Sequence, residues 1–337
     1  MPNPYEMTLS FTNSEKAKLI GMIEGGTYTG KRIYITDDGS TTGIMEAEPF
    51  FILTEAWFRD QKRNMRSSEL VRLQHAIRRM RPPEDDDLYQ IYVNALQYLN
   101  DRCKKELTIA NGKIKPCIGK DPTVRAYICG ATGSGKTTWA CHFIKEILRR
   151  RPSMKFYVFS QLKEDDVLDL IKPVRIQLEE SLIEEPIPLE KLENSVVLFD
   201  DIETIPDKKL KEAVANIRSR CLSEGRHHNI STICTNHQIT DYKKTRDMLL
   251  ECEFITFFPQ SGGNNSILRL LQTYIGLSKK QVNRLMSLPS RWVTVYNRAP
   301  LTAMYESGVF LLTDMMEPPK VKEPARQKPR EEYEYED

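Results

Sequence analysis

A glycine-rich loop at residues 130–137 constrains this 337-residue chain more than any other segment. Its sequence, Gly-Ala-Thr-Gly-Ser-Gly-Lys-Thr, matches the pattern G-x-x-x-x-G-K-[ST] at every fixed position. A β-prone run at 124–129 precedes it. After it, apolar residues recur at three- and four-residue steps until Pro152, which predicts an amphipathic helix. Strand, loop and helix in this order are the setting in which such a loop cradles phosphate.

Each residue type in the loop suits contact with a nucleotide. Glycines let backbone N–H groups approach phosphate oxygens, and the helix N-terminus adds partial positive charge. Lys136 is expected to reach the β- and γ-phosphates, and the hydroxyl of Thr137 to bind Mg²⁺. We therefore predict ATP and Mg²⁺ as cofactors. The predicted nucleotide-binding residues are Gly130, Ala131, Thr132, Gly133, Ser134, Gly135, Lys136, Thr137 and Thr138.

A second motif follows downstream, where the apolar run 195–199 ends in Asp200 and Asp201. This pattern is typical of a Walker B strand, which is buried on both faces and ends at the ligand crevice of a parallel sheet. Asp200 is expected to hold Mg²⁺ together with Thr137. Asp201 occupies the position of a catalytic carboxylate that polarises the attacking water. Glu203 remains an alternative base.

Composition excludes several classes of protein. The chain has 40% hydrophobic and 28% charged residues and a net charge of +2, as expected for an ordinary soluble globular protein. It has no run of 18 apolar residues and its N-terminus does not resemble a signal peptide, so we expect neither a membrane span nor secretion. Seven scattered cysteines without a C-x-x-C pair favour reduced thiols and an intracellular location.

The order of predicted elements indicates an α/β fold with three parts. Residues 1–114 read as a smaller N-terminal α+β accessory region of unknown role. Residues 115–315 alternate strand and helix, which predicts a P-loop NTPase core with a mostly parallel sheet flanked by helices. Residues 316–337 are rich in Pro, Lys and Glu, which predicts a disordered charged tail.

Some local predictions are definite enough to compare with a structure. We expect one helical stretch over 54–80, a helix over 208–223 and a strand over 230–236 beside the Walker B strand. We also expect 292–297 to pair with 309–312 as a hairpin. Polar residues that follow the strand 230–236 can contact the γ-phosphate or its attacking water. Gln238 suits this sensor role, because its amide both donates and accepts hydrogen bonds.

The combined motifs resemble a known family. The loop, the hydrophobic-Asp-Asp run and the stretch Gly225-Arg226-His227-x-x-Ile230-Ser231 with Gln238 are similar to the genome-packaging ATPases of large nucleocytoplasmic DNA viruses. Those enzymes belong to the FtsK–HerA superfamily, and the resemblance covers roughly residues 120–315. It implies a ring-forming motor, commonly hexameric, that uses ATP hydrolysis to thread double-stranded DNA into a preformed capsid.

The resemblance also implies partners and a location. The partners are double-stranded DNA without sequence preference, capsid or other packaging proteins, and further copies of the chain, with no membrane. The location is the host-cell cytoplasm, the viral factory or the virion. In such rings an arginine of the neighbouring subunit contacts the γ-phosphate. Arg226 is the first candidate because it lies next to the sensor strand, and Arg218 and Arg220 are alternatives; we expect all three near the ligand-binding edge of the sheet.

Other functions remain open from the sequence. The basic start of the helix 208–223, with Lys208, Lys209 and Lys211, suits either DNA phosphates in a channel or solvent. A helicase or repair-type DNA translocase of the same superfamily would carry the same motifs. A small-molecule kinase would share the loop, but the chain has no Arg-rich lid segment. A non-catalytic nucleotide switch is disfavoured because the lysine, both aspartates and a sensor are retained.

Overall fold

The computed structural model describes residues 6–37, 44, 48–62, 64–117, 119, 123–237, 242–262 and 264–312. Gln238, Gly263 and the tail 316–337 therefore lie outside the described residues.

The N-terminal region combines a small antiparallel sheet with helices. In the described part of this region, four strands pair in the order β1-β3-β2-β5. These strands are β1 (Thr8–Ser10), β2 (Lys18–Glu24), β3 (Arg32–Thr36) and β5 (Lys113–Pro116). The helices between β3 and β5 are α1 (Glu48–Gln61), α2 (Ser67–Arg79) and α3 (Asp86–Lys105).

The single helical stretch expected over 54–80 is wrong, because α1 and α2 are separate helices. The chain leaves α1 after Gln61 and starts again at Ser67. A local hydrogen bond defines the new start, since the backbone N–H of Arg66 donates to Oε2 of Glu69 at 3.2 Å. Such a bond satisfies one of the N–H groups that the first turn of a helix leaves free.

The larger sheet has ten strands within the described residues, in the order β4-β14-β13-β12-β11-β6-β10-β9-β7-β8. The six strands from β11 to β8 are parallel, and the other four extend the sheet in antiparallel fashion. The parallel strands are β6 (Arg125–Cys129), β7 (Lys155–Phe159), β8 (Val174–Ile176), β9 (Ser195–Asp200), β10 (Ile230–Asn236) and β11 (Phe254–Phe257). The antiparallel strands are β4 (Glu106–Thr108), β12 (Val293–Tyr296), β13 (Thr302–Tyr305) and β14 (Gly308–Leu311).

Helices cover both faces of this sheet, as the sequence predicted. They are α4 (Lys136–Arg150), α5 (Ser181–Glu184), α6 (Lys208–Ser223), α7 (Tyr242–Glu251), α8 (Asn264–Arg269), which continues as a π-helical turn over Leu270–Tyr274, and α9 (Lys279–Met286). Strand β9 shows why two layers are needed, because its six residues are all buried. Val196 and Leu198 pack in one core cluster with residues of α4, and Val197 and Phe199 pack in another with residues of α6. A strand buried on both faces is the expected centre of a parallel sheet.

The hairpin expected between 292–297 and 309–312 is wrong. Strand β13 lies between them, so β12 pairs with β13 and β13 pairs with β14. The two turns are short: residues 297–301 join β12 to β13, and 306–307 join β13 to β14. Short turns bring sequence neighbours together as antiparallel partners. The strand was overlooked because Thr-Ala-Met-Tyr is short and carries little β-branched character.

The chain crosses between the two sheets just before the phosphate loop. Strand β4 pairs with β14 and ends the large sheet, whereas β5 pairs with β2 in the small one. The boundary drawn between 114 and 115 falls inside β5. One buried cluster also includes Trp57 of α1 together with Phe254 and Met304 of the large sheet. The three-part division of the chain stays a prediction.

None of the helices in the described part of the chain has the length and apolar character needed to cross a bilayer.

Candidate functional site

Three parallel strands bring the predicted motifs to one edge of the sheet. Strand β10 lies between β6, which leads into the glycine-rich loop, and β9, which carries Asp200. In register, Asn236 is opposite Cys129 and Thr235 is opposite Asp200. Because parallel strands end at the same edge, the loop, both aspartates and His237, which follows β10, meet there.

The loop geometry requires its glycines at specific positions. Gly133 and Gly135 have φ values of 76° and 104°, in the left-handed region that side chains other than glycine rarely adopt. At Gly130, a Cβ would lie 2.7 Å from Oγ of Ser134 and 2.8 Å from a ring carbon of Phe258. The loop therefore turns tightly over β6 and opens α4 at Lys136.

The side chain of Lys136 is buried under this loop, with 5% of it exposed. Its Nζ donates to the carbonyl oxygens of Gly130 at 3.0 Å and Ala131 at 3.3 Å. It also lies 2.9 Å from Nδ1 of His237. Burial lowers the pKa of Lys136, and the charges of Asp201 and Asp200 act in the opposite direction.

His237 joins Lys136 to Asp201. Its Nε2 lies 2.7 Å from Oδ2 of Asp201, while its Nδ1 faces the ammonium of Lys136. Since an ammonium only donates, Nδ1 accepts, and in the neutral ring the proton is then on Nε2 and is donated to the carboxylate. Nδ1 is also 3.4 Å from Oγ1 of Thr132 in the loop. One imidazole therefore connects the loop, the end of β10 and the residue that follows β9.

The backbone of Asp201 is held by β10. Its φ and ψ are 46° and 37°, and its N–H donates to the carbonyl oxygen and to Oγ1 of Thr235 at 3.2 and 3.1 Å. Burial raises the pKa of the Asp201 carboxyl, and the negative charge of Asp200 acts in the same direction. The nearby Lys136 and His237 lower the pKa. Its Oδ1 is buried and has no hydrogen-bond partner among the described residues.

Asp200 is buried and faces two hydroxyls. Oγ1 of Thr235 donates to its Oδ1 at 2.7 Å, and Oγ of Ser160 donates to its Oδ2 at 3.3 Å. Thr137, half-buried, lies in the first turn of α4. Hydroxyl and carboxylate oxygens are the ligands that Mg²⁺ prefers. The buried Oγ of Ser134 and Oδ1 of Asp201, both without partners in the described part of the chain, leave polar atoms for phosphate and water. The residues present therefore fit a Mg²⁺–nucleotide complex.

Arg226 does not lie at this edge, contrary to expectation. It is exposed on the turn Gly225–His228, which precedes β10. The seven residues of β10 separate it from the site by roughly 20 Å, at about 3.3 Å per residue. The reason is strand direction, since a residue that comes before a parallel strand lies at the opposite edge from one that follows it.

The other two arginine candidates are engaged in ion pairs. Arg218 is buried, with 3% exposure, and its Nη1 is 2.8 Å from Oε1 of Glu203. Arg220 is exposed and pairs with Glu224 at 3.5 Å. The two carboxylates proposed as the base differ in their partners, because Glu203 pairs with Arg218, whereas Asp201 contacts His237.

Helix α6 has the predicted bounds. Asp207 caps its start by accepting from the N–H of Leu210 at 2.6 Å. Lys208 and Lys209 are exposed and Lys211 is half-buried. Its apolar residues Leu210, Val214, Ile217 and Cys221 pack in the core.

Two site residues were missed by the sequence analysis. His237 follows β10 directly, so the signal that selected Gln238 applied to it as well. Arg291 precedes β12, and its Nε donates to the carbonyl oxygen of Ser134 at 3.2 Å. No sequence pattern distinguished Arg291, because it reaches the loop only through the order of the strands.

The class of protein follows from this geometry. A phosphate loop between a parallel strand and a helix, a buried strand that ends in a carboxylate, and a third strand inserted between the two define a P-loop NTPase fold. No family model matches the chain. Protein V3 of the Sputnik virophage, described as uncharacterized, is 38% identical to it over 211 residues, which cover 62% of this chain and 85% of V3. The chain therefore belongs to the same family as V3, a protein of a virophage.

Solved structures show partial similarity. The genome packaging NTPase B204 from Sulfolobus turreted icosahedral virus 2, in complex with AMP, is 14% identical, with a TM-score of 0.38 over 55% of this chain and 98% of that chain. The cytoplasmic domain of the type VII secretion ATPase EccC from Thermomonospora curvata is 13% identical, with a TM-score of 0.42 over 61% of this chain and 29% of that chain.

Proposed function

We propose that this protein hydrolyses ATP and uses the energy to move double-stranded DNA into a preformed viral capsid. The observation that carries the hydrolysis is the pair of short contacts from His237 to Asp201 and to Lys136, at 2.7 and 2.9 Å. DNA packaging in particular is supported by the Gly225-Arg226-His227 stretch of the sequence and by the similarity to a virophage protein.

Binding of ATP engages the loop through Lys136. Its ammonium exchanges the carbonyl oxygens of Gly130 and Ala131, and Nδ1 of His237, for phosphate oxygens. The N–H groups of the loop and of the first turn of α4 supply the remaining donors. Thr137 and Asp200 would hold Mg²⁺, which neutralises phosphate charge when it is bound. Thr235 and Ser160 orient the Asp200 carboxylate for this task.

Hydrolysis then depends on Asp201. Oδ2 is held by His237, so Oδ1 remains to accept a proton from the attacking water. A carboxylate whose pKa is raised by burial is a stronger base than an exposed one. When Lys136 turns to the phosphate, His237 loses its contact with the ammonium and keeps those with Asp201 and Thr132. In this mechanism His237 positions the base, and Asp201 touches the reacting water.

Translocation requires surfaces beyond a single subunit. Arg226 is exposed at the edge of the sheet away from its own site, where a neighbouring subunit in a ring can approach it. We propose it as the arginine that acts in trans. Lys208 and Lys209 are exposed at the start of α6 and suit DNA phosphates without reading base sequence. Capsid or other packaging proteins are the remaining partners, in the host-cell cytoplasm or viral factory.

The test is ATP hydrolysis by the purified protein with and without long double-stranded DNA, at low and moderate salt. We expect stimulation by DNA that falls as salt rises, because phosphate contacts release counterions. Lys136→Ala serves as the control that removes turnover at the site. Equal rates with and without DNA at both salt concentrations would contradict the translocase and favour a kinase or a nucleotide switch.

A further inference from the structure

Arg291 contacts the phosphate loop, and the residue that follows it packs against helix α4. Its Nε donates to the carbonyl oxygen of Ser134 at 3.2 Å. Its guanidinium atoms lie 3.4–3.6 Å from the position that a Cβ on Gly135 would take. The neighbouring Trp292 packs edge-on against Trp139 of α4, with ring centroids 6.2 Å apart. The side chain therefore lies against the two residues that precede Lys136.

The segment that presents Arg291 is anchored to the sheet. Ser290 is buried, and its hydroxyl donates to the carbonyl oxygen of Trp292 at 2.7 Å. The same hydroxyl accepts from the N–H of Glu306 at 3.2 Å. Strand β12 then begins at Val293, paired with Phe257 at the same edge as the nucleotide site. These hydrogen bonds and the strand pairing fix the position of the backbone at Arg291.

The charge of Arg291 has no anionic partner in the described part of the chain. Its one hydrogen bond uses Nε and a neutral carbonyl oxygen, and the side chain is exposed. Both Nη atoms are then available to a ligand. A guanidinium with two free nitrogens beside a loop that binds phosphate has the geometry for phosphate oxygens.

We propose that Arg291 is a second cationic ligand of the nucleotide's phosphate chain, contributed by the same subunit as Lys136. This rests on the proposed ATPase function. It differs from the arginine supplied in trans, because Arg291 already contacts the loop of its own subunit. The competing account is that Arg291 only braces the loop through Ser134, which a neutral donor could also do.

The experiment measures binding of a non-hydrolysable ATP analogue and of inorganic tripolyphosphate by calorimetry, with Mg²⁺ present. We expect Arg291→Ala to weaken both ligands by about ten- to hundredfold, the range for a hydrogen-bonded charge pair. Arg291→Lys keeps the charge and should retain part of the affinity. Arg291→Gln keeps a donor without charge and should behave like Arg291→Ala.

The matched control is Arg149→Ala, which removes an exposed arginine that pairs with Glu146 at the far end of α4. It should bind both ligands like the wild type. Thermal unfolding without nucleotide should give the same midpoint for all three Arg291 variants and the wild type, which separates ligand binding from loop bracing.

The outcomes are distinct. Wild-type affinity in Arg291→Gln would show bracing and overturn the proposal. A loss for the ATP analogue without a loss for tripolyphosphate would place the contact at the base or ribose and also overturn it. If the wild type binds neither ligand, the proposed ATPase function itself fails. If the wild type binds and Arg291→Ala binds equally well, only the assignment of Arg291 fails.

Discussion

Nε2 of His237 lies 2.7 Å from Oδ2 of Asp201, and this contact joins the ends of two neighbouring strands. His237 follows β10, and Asp201 follows β9. The other nitrogen of the same ring faces Lys136 of the phosphate loop. Any rearrangement of Lys136 towards a phosphate therefore changes the surroundings of the carboxylate that we propose as the base.

Asp201→Asn should leave nucleotide binding close to wild type and lower the rate of ATP hydrolysis by about a hundredfold or more, the usual loss when a general base is removed. Glu203→Gln is the matched control, because Glu203 pairs with Arg218 and should retain most of the turnover. Steady-state rates and nucleotide affinities of both variants check this. Loss of turnover in Glu203→Gln alone would move the base to that residue.

The same Asp201→Asn variant should be more stable than the wild type at pH 8. Burial raises the pKa of Asp201 in the folded chain, so the folded form disfavours its charge relative to the unfolded chain. The protonated carboxyl therefore stabilises the folded chain at pH values below the unfolded pKa. This contribution is lost as the pH rises through the folded pKa. The gain from asparagine should therefore be larger at pH 8 than at about pH 3.5, which lies below the unfolded value of 3.8. Thermal unfolding at the two pH values measures it, and a lower midpoint for the variant at pH 8 would contradict the argument.

His237→Ala should lower the hydrolysis rate by about ten- to hundredfold while nucleotide affinity changes little, because misplacing a catalytic group by about 1 Å has an effect of this size. His237→Gln should recover part of the rate, since its amide can donate to Asp201 and accept from Lys136. Comparison of kcat with nucleotide affinity separates positioning from binding. Wild-type rates in His237→Ala would remove the imidazole from the mechanism.

Thr235→Val should raise the Mg²⁺ concentration needed for half-maximal turnover by about tenfold, because it removes the hydroxyl that orients Asp200. Thr232→Val makes the same change on the same strand, where the hydroxyl donates to the carbonyl oxygen of Cys221 instead. That control should keep the Mg²⁺ dependence of the wild type. Equal Mg²⁺ requirements in the two variants would argue against Asp200 as the metal ligand.

The sequence predicted the bounds of helices and strands correctly where the pattern of apolar residues is local and long. The helix 208–223 has the predicted bounds because its apolar residues recur at helical spacing, and the strand 230–236 has them because a short β-prone run is bounded by polar residues. Strand β9 was placed correctly because its apolar run is continuous, as in a strand that is buried on both faces. Strand β13 was missed because four residues of mixed character carry no comparable signal.

Contacts between distant residues could not be predicted. Lys136 and His237 are 101 positions apart, and Ser134 and Arg291 are 157 apart. Both contacts depend on β10 lying beside β6 and on β12 being two strands away on the other side. The position of Arg226 is a different case. Strand direction alone implies that a residue before β10 lies opposite the nucleotide site, so this error was avoidable from the sequence.

The most direct test of the central claim is ATP-dependent displacement of a third strand from a DNA triplex carried on a long duplex, with release of one strand of a forked duplex measured in parallel. A motor that moves along double-stranded DNA should displace the third strand when ATP and Mg²⁺ are present, and Lys136→Ala should not. The wild-type motor should leave the forked duplex intact. Release of the forked strand would identify a helicase instead, and ATP hydrolysis with no triplex displacement would contradict translocation on double-stranded DNA.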